Sequence, residues 1–145
     1  MNQNQLSDHA ALLLRLSMGV LFLAHGLILK VLTFTPAGTA AFFESLGYPA
    51  LFAYIVIAAE IGGGLALIAG VRVRLVSLLF VPLMIGATLQ HLGNGWTFSN
   101  AGGGWEFPLF WTVLLFVQAL LGAGSLSLER LAGLERKPAA QPAIV

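Results

Sequence analysis

The chain has 145 residues, of which 58% are hydrophobic and 9% charged, with a formal net charge of +1 and no cysteine. Soluble domains carry about 25% charged residues, and a domain this small has too much surface for its volume to hide so many apolar side chains from water; with a mean hydropathy of +0.89, the composition specifies an integral membrane protein of a single domain. The near-neutral charge excludes a nucleic-acid footprint, and the missing cysteines exclude disulfides, thiolate nucleophiles, thiolate-bound iron–sulfur clusters and a CxxC redox pair.

Residues 1–9 are polar, without Lys or Arg, and an apolar segment then runs from about Ala10 to Leu29. It lacks a basic n-region and an A-x-A-like cleavage site, so it reads as a retained transmembrane helix and not as an ordinary signal peptide. The breaker cluster Thr35-Pro36-Ala37-Gly38 follows, and Thr39 to Leu46 is expected to form a short helix lying in the membrane interface. A second helix is predicted from about Ala50 to Val71, interrupted only by Glu60 and Gly62-Gly63-Gly64. After a turn containing Arg72 and Arg74, a third covers about Leu75 to Leu92, with Pro82 expected to bend it. The fourth is expected over Phe107 to Ser127, with Pro108 in its first turn, where the missing N–H is no loss. Each run is about 20 residues, enough at about 1.5 Å per residue to span a hydrocarbon core of about 30 Å. The fold class expected is therefore all-α, a bundle of four transmembrane helices over 1–131 with a Gly/Trp-rich second outer loop. Residues 132–145 are expected to be a disordered tail.

Basic residues set the orientation. Arg15, Arg72, Arg74, Arg130, Arg136 and Lys137 fall toward one end of such a bundle, and only Lys30 toward the other. The positive-inside rule then predicts cytoplasmic termini and an outward-facing second loop.

The ionisable groups within the apolar runs carry the functional reading. Glu60 lies about ten residues from either end of its helix, where a charge costs roughly 2.5–3.5 kcal/mol unless it is paired or protonated. Arg15, from the first helix, is expected to reach it as a structural ion pair; the plainer reading for Arg15 is snorkelling to the head groups. The triple glycine beside Glu60 suits close approach of a neighbouring helix. His25, Lys30, His91 and Glu106 fall near the opposite face. Singly they read as structural hydrogen-bonders or, for Glu106, as a carboxylate near the positive end of a helix; together they are expected to line one pocket. The stretch from Leu89 to Pro108 holds five glycines and two tryptophans between His91 and Glu106. Ordering that many glycines is entropically costly, so ligand or charge contacts are expected to hold the loop in shape.

These residues resemble the DoxX family of small four-helix bacterial membrane proteins. The resemblance covers about Leu12 to Leu131. It rests on Leu14-Arg15 with Gly19 and Phe22, His25-Gly26 with Lys30, Gly38 to Phe43 with Leu46-Gly47, and Glu60 with Gly63-Gly64. The most specific part is His91 with Asn94-Gly95-Trp96, then Gly102 to Glu106 with Pro108-Leu109; Gly122-Ala123-Gly124 with Ser127 to Glu129 closes it. Ala123 stands where the family often has Pro. The resemblance implies a bacterial inner-membrane protein associated with a redox system, including subunits of quinone-linked sulfur-compound oxidation.

Without cysteine, electron transfer requires a bound cofactor, and a quinone needs hydrogen-bond donors for its oxygens and an aromatic surface for its ring. His25, His91 and Lys30 are the candidate donors, Trp96, Trp105 and Phe98 the candidate stacking partners, and Glu60 and Glu106 the candidate proton carriers. Haem on His25 and His91 is disfavoured by their unequal depths, and no metal site is assigned, although His25, His91 and Glu106 are of ligand type. Two further readings stay open. One is a non-catalytic membrane anchor or assembly subunit holding a partner redox subunit or a second copy; the other is a small-solute or proton carrier.

Overall fold

A computed structural model describes residues 2–133, and every regular element among them is a helix. The first, α1, spans Gln3–Leu23. It starts well before Ala10 because Asn2 and Gln5 form a reciprocal capping box: Gln5 N donates to Asn2 Oδ1 at 2.9 Å and Asn2 N to Gln5 Oε1 at 3.0 Å. Nor does the helix stop at Leu29. It continues from Ala24 to Thr33 as a wider, π-helical stretch, shown at its end by Phe34 N donating to Leu29 O at 2.8 Å. Helix α2 spans Pro36–Ser45, with Thr35 Oγ1 accepting from Gly38 N at 3.1 Å and Pro36 in the first turn.

Helix α3 (Ala50–Ala69) ends on Gly70, whose φ of +74° supplies the left-handed cap. Helix α4 (Val73–His91) runs on through Pro82. Helix α5 spans Glu106–Leu121, so it stops short of the expected Ser127. Gly122 and Gly124, with φ of +84° and +70°, turn the chain out of the helical path, and the apolar residues after them fold back: Ser125 N donates to Asp8 O at 3.2 Å. A last turn, α6 (Leu128–Leu131), is capped by Ser127. Three helical stretches, 3–33, 50–69 and 73–94, are long and apolar enough to cross a membrane; α5 is apolar but has 16 residues.

The bundle is built from two tight pairs, α1 with α3 and α4 with α5, joined by α1–α5 and α3–α4 contacts. Glycine sets the first pair. A Cβ on Gly19 would stand 2.9 Å from Gly64 O, and one on Gly64 would stand 2.9 Å from Leu23 N, so the two backbones touch. Small residues allow this kind of approach between membrane helices. Gly63 makes room in the same way for the Phe80 ring of α4. In the middle, Phe22 stacks on Phe80 at 3.7 Å and leans on Trp111 at 4.5 Å between ring centroids. Leu13, Leu79 and Leu120 are among many large apolar side chains left exposed on the outside, the inverse of a water-soluble surface.

At one end the start of α1, the α3–α4 turn and the stretch after α5 are tied together. Arg130 pairs with Asp8 at 2.7 Å, and Arg72 N donates to Glu129 Oε1 at 2.7 Å. The π-helical stretch, α2 and the 92–105 loop lie at the other end. The expectations for the tail after residue 133, with Arg136 and Lys137, fall outside the described residues.

Candidate functional site

Glu60 lies about halfway along α3, about 15 Å from the helix start. Its partner is Lys30. The Lys30 Nζ donates to Glu60 Oε2 at 2.7 Å and to Oε1 at 2.9 Å, and the two side chains are 19% and 8% exposed. Two local features make this pair. A Cβ on Gly26 would stand 2.8 Å from Glu60 Cβ, so only glycine lets α3 come this close. The π-helical hydrogen-bonding is the other feature. In a regular α-helix residues five apart point about 140° away from each other, at about 100° per residue. Hydrogen bonds between residues five apart bring them onto one side, as Thr33 Oγ1 donating to Ile28 O at 2.8 Å shows. His25 and Lys30 are so related, and both come within electrostatic reach of Glu60. Helix α2 adds to the Lys30 side, with Thr39 Oγ1 donating to Lys30 O at 3.0 Å.

His25 Nδ1 lies 2.9 Å from Leu21 O. A carbonyl only accepts, so Nδ1 carries the proton and Nε2 is left as the basic nitrogen of the neutral ring. The ring meets Trp111 of α5 edge-on, 5.1 Å between centroids. Trp111 is 4% exposed, and its Nε1 is buried with no hydrogen-bond partner among the described residues. Sequence reasoning passed over Trp111, because it sits in a charge-free run; its signal was an indole in the first half of a helix, one turn from Phe107.

The expected Arg15–Glu60 ion pair is not the one formed. Arg15 is 1% exposed, and its guanidinium donates to Leu67 O and Ile68 O at 3.1 Å, to Leu126 O at 3.3 Å and to Ser125 O at 3.5 Å. Leu67 is about 10 Å further along α3 than Glu60. The last carbonyls of α3 lack the N–H of a following helical turn, and a cation is favoured there. Arg74 does the same for α5, donating to Ala119 O and Leu120 O, both at 2.9 Å.

His91, Trp96, Trp105 and Glu106 form a second group, which no hydrogen bond or ion pair among the described residues links to Lys30, Glu60 or His25. The rings of Phe107 and Trp111 lie between the two groups, with Phe98 5.6 Å from Phe107, Phe107 5.5 Å from Trp111 and Trp111 5.1 Å from His25 between centroids. Hydrogen bonds within the loop and to the Glu106 carboxylate hold its shape. His91 Nδ1 lies 3.0 Å from Gly103 O, and Asn94 Nδ2 donates to Gly102 O and Gly103 O at 3.1 and 3.0 Å. Trp105 N donates to Gly95 O at 3.1 Å, Glu106 N to Trp96 O at 3.2 Å, and Phe98 N to Glu106 Oε1 at 2.7 Å. A Cβ on Gly104 would collide with the Trp96 and Thr97 carbonyls. That close approach requires Gly104, whereas Gly95, Gly102 and Gly103 supply positive φ of 80°, 81° and 74°. Beside the loop lies an open, mostly apolar groove of about 640 Å³, lined by Trp96, Phe98, Phe107, Phe110, Glu106 and two aliphatic residues. No three His, Asp or Glu side chains converge among the described residues as a metal ion would require.

Long apolar helices joined by glycine contacts, with a lysine–glutamate pair between two of them, define a helical membrane protein. The chain belongs to the DoxX family, whose model matches residues 10–93. It is also similar to a Bacillus subtilis (strain 168) protein named "Putative oxidoreductase CatD", 37% identical over 126 residues, covering 87% of this chain and 89% of that protein. No solved structure matches the chain.

Proposed function

We propose that the chain is the membrane subunit of a quinone-linked redox system in the bacterial inner membrane, and that His25, Lys30 and Glu60 handle its protons. One observation carries this reading: a lysine–glutamate pair halfway along an apolar helix, with a histidine brought to the same side. Ionisable groups at that depth mark proton or ligand pathways in membrane proteins. The name of the Bacillus relative supports the redox assignment. The residues fit a quinone head group. Lys30 Nζ is a cationic donor, and the unused Trp111 Nε1 is a neutral one beside His25, so carbonyl oxygens would meet donors there. A bound quinone supplies electron acceptance coupled to proton uptake. Lys30 Nζ donates to both Glu60 oxygens, and in this reading the carboxylate and the His25 imidazole exchange the protons. Proteins that exchange protons through carboxylates and histidines within the bilayer use the same groups.

Under this reading residues 1–131 form one domain, and α5 crosses as the fourth span. Its 16 residues cover about 24 Å, a mismatch that local thinning of the bilayer accommodates. Both termini are placed in the cytoplasm, on the side of Arg15, Arg72, Arg74 and Arg130. A C-terminal reporter that fluoresces only in the cytoplasm is expected to be bright; a dark but inserted fusion would reverse the orientation. The hydrogen-bonded outer loop, with Trp96 and Phe98 exposed, favours a second role as the seat of a partner redox subunit, which would co-purify with the chain.

The quinone assignment is tested on protein purified in maltoside micelles, by solvent extraction and the ultraviolet absorbance of the extract before and after borohydride. The wild-type chain is expected to retain quinone, and the variant Lys30→Met/Glu60→Leu to lose it while the bundle stays folded. Extracts without quinone, or equal retention by the variant, would sink the assignment.

A further inference from the structure

The groove at the outer end of α5 has a chemistry unlike that of the Lys30–Glu60 group. Its mostly apolar lining combines four aromatic residues with one acidic residue, Glu106, and contains no Lys, Arg or His. Quinone oxygens are acceptors, so they would face the acceptor oxygens of Glu106 with no cation to offset the repulsion. A cation meets the opposite situation, since ring faces carry negative potential and attract ammonium groups, most strongly where water is displaced. We propose that this groove binds an organic cation with an alkyl tail, a tertiary or quaternary ammonium amphiphile that enters from the bilayer.

Three features show that the groove is pre-arranged. Trp96 is fixed edge-on against Trp105, with centroids 4.5 Å apart and planes at 88°. Phe98 is held against Phe107 at 5.6 Å. Glu106 is anchored through Oε1 by Phe98 N–H at 2.7 Å, which leaves Oε2 without a bond among the described residues. Contacts within the chain therefore hold the rings and the carboxylate, which lowers the ordering cost of binding. The volume of about 640 Å³ lies within the range of about 300–1,000 Å³ usual for small-ligand pockets. The lining also selects among cations. A zwitterionic lipid brings a phosphate with its ammonium, and nothing in the groove would pair with that phosphate. The favoured occupant therefore carries no phosphate.

The inference does not rest on the quinone reading, because Glu106 and the groove residues lie outside the Lys30 group. The test compares dodecyltrimethylammonium with dodecyldimethylamine oxide, which has the same chain and a similar head without net charge at mildly alkaline pH. Binding is followed by tryptophan fluorescence of the full chain in maltoside micelles. The wild-type protein is expected to bind the cation at least about tenfold more tightly than the amine oxide. Glu106→Gln keeps a carbonyl oxygen to accept from Phe98 N–H but removes the charge, and is expected to abolish most of that preference. Phe110→Leu lies outside the loop's hydrogen bonds and is expected to weaken cation binding several-fold with the loop intact. Equal binding of the two probes to the wild-type chain, or an undiminished preference in Glu106→Gln, would overturn the proposal. Displacement of the probe by short-chain phosphatidylcholine would also overturn it, by reassigning the groove to lipid head groups.

Discussion

Replacing Arg15 by methionine is expected to destabilise the bundle by about 3 kcal/mol or more. Hydrogen bonds from a charged donor contribute about 1.5–3 kcal/mol each, and removing one side of a buried ionic interaction costs about 3–5 kcal/mol. Arg15 reaches four carbonyls from a side chain that is 1% exposed. The lower part of that range applies, because a chain unfolded within the membrane finds substitute partners. The methionine variant loses more than donors: it removes the link between the end of α3 and the stretch at 125–126. Arg15→Lys is expected to recover only part of the loss, since a single ammonium does not span a fork of carbonyls on two segments. The measurement is unfolding in mixed micelles, and a loss below about 1 kcal/mol would remove Arg15 as the clamp between these segments. Combined with Glu60→Ala, the loss is expected to be additive, because the two side chains do not meet.

How much of this was visible in the sequence follows the physics of each residue. Apolar runs are read from composition alone, so the helical membrane class and the rough helix positions were plain. Helix ends depend on capping. The Asn2–Gln5 box that starts α1 was present in the sequence but lay in a polar stretch that hydropathy does not report. The early stop of α5 is set by positive φ at Gly122 and Gly124, a backbone property that the apolar side chains around them masked. The pairing of Glu60 turned on a feature that periodicity assumes away. Counting at 3.6 residues per turn, His25 and Lys30 point to different sides, and Arg15 looks like the nearest available cation. The π-helical stretch brings Lys30 round to Glu60 and releases Arg15 to the helix ends. The loop shows the reverse case. His91, Trp96, Trp105 and Glu106 were recognisable as a group, but their close neighbours in space are each other and the loop backbone, and sequence spacing carries no information about that packing.

The Lys30–Glu60 pair gives the second large effect, and it separates an ion pair from two independent polar residues. Glu60→Ala leaves the Lys30 ammonium in a partly buried site without its carboxylate, and Lys30→Ala leaves the carboxylate alone; each is expected to cost about 3 kcal/mol. The Glu60 side chain is 8% exposed, so water offers it little compensation. Removing both charges with apolar residues of similar length, as in Lys30→Met/Glu60→Leu, is expected to cost far less than the two single losses combined. Buried ion pairs are often replaceable by apolar side chains at little cost, because the desolvation of both groups disappears with their attraction. The coupling is therefore expected to be about 2 kcal/mol or more, measured as a double-mutant cycle of unfolding in mixed micelles. Coupling near zero would mean that the pair does not form in the membrane. The double variant then isolates function from folding. If it is stable yet fails to retain quinone, the pair was kept for its protons and not for the stability of the bundle.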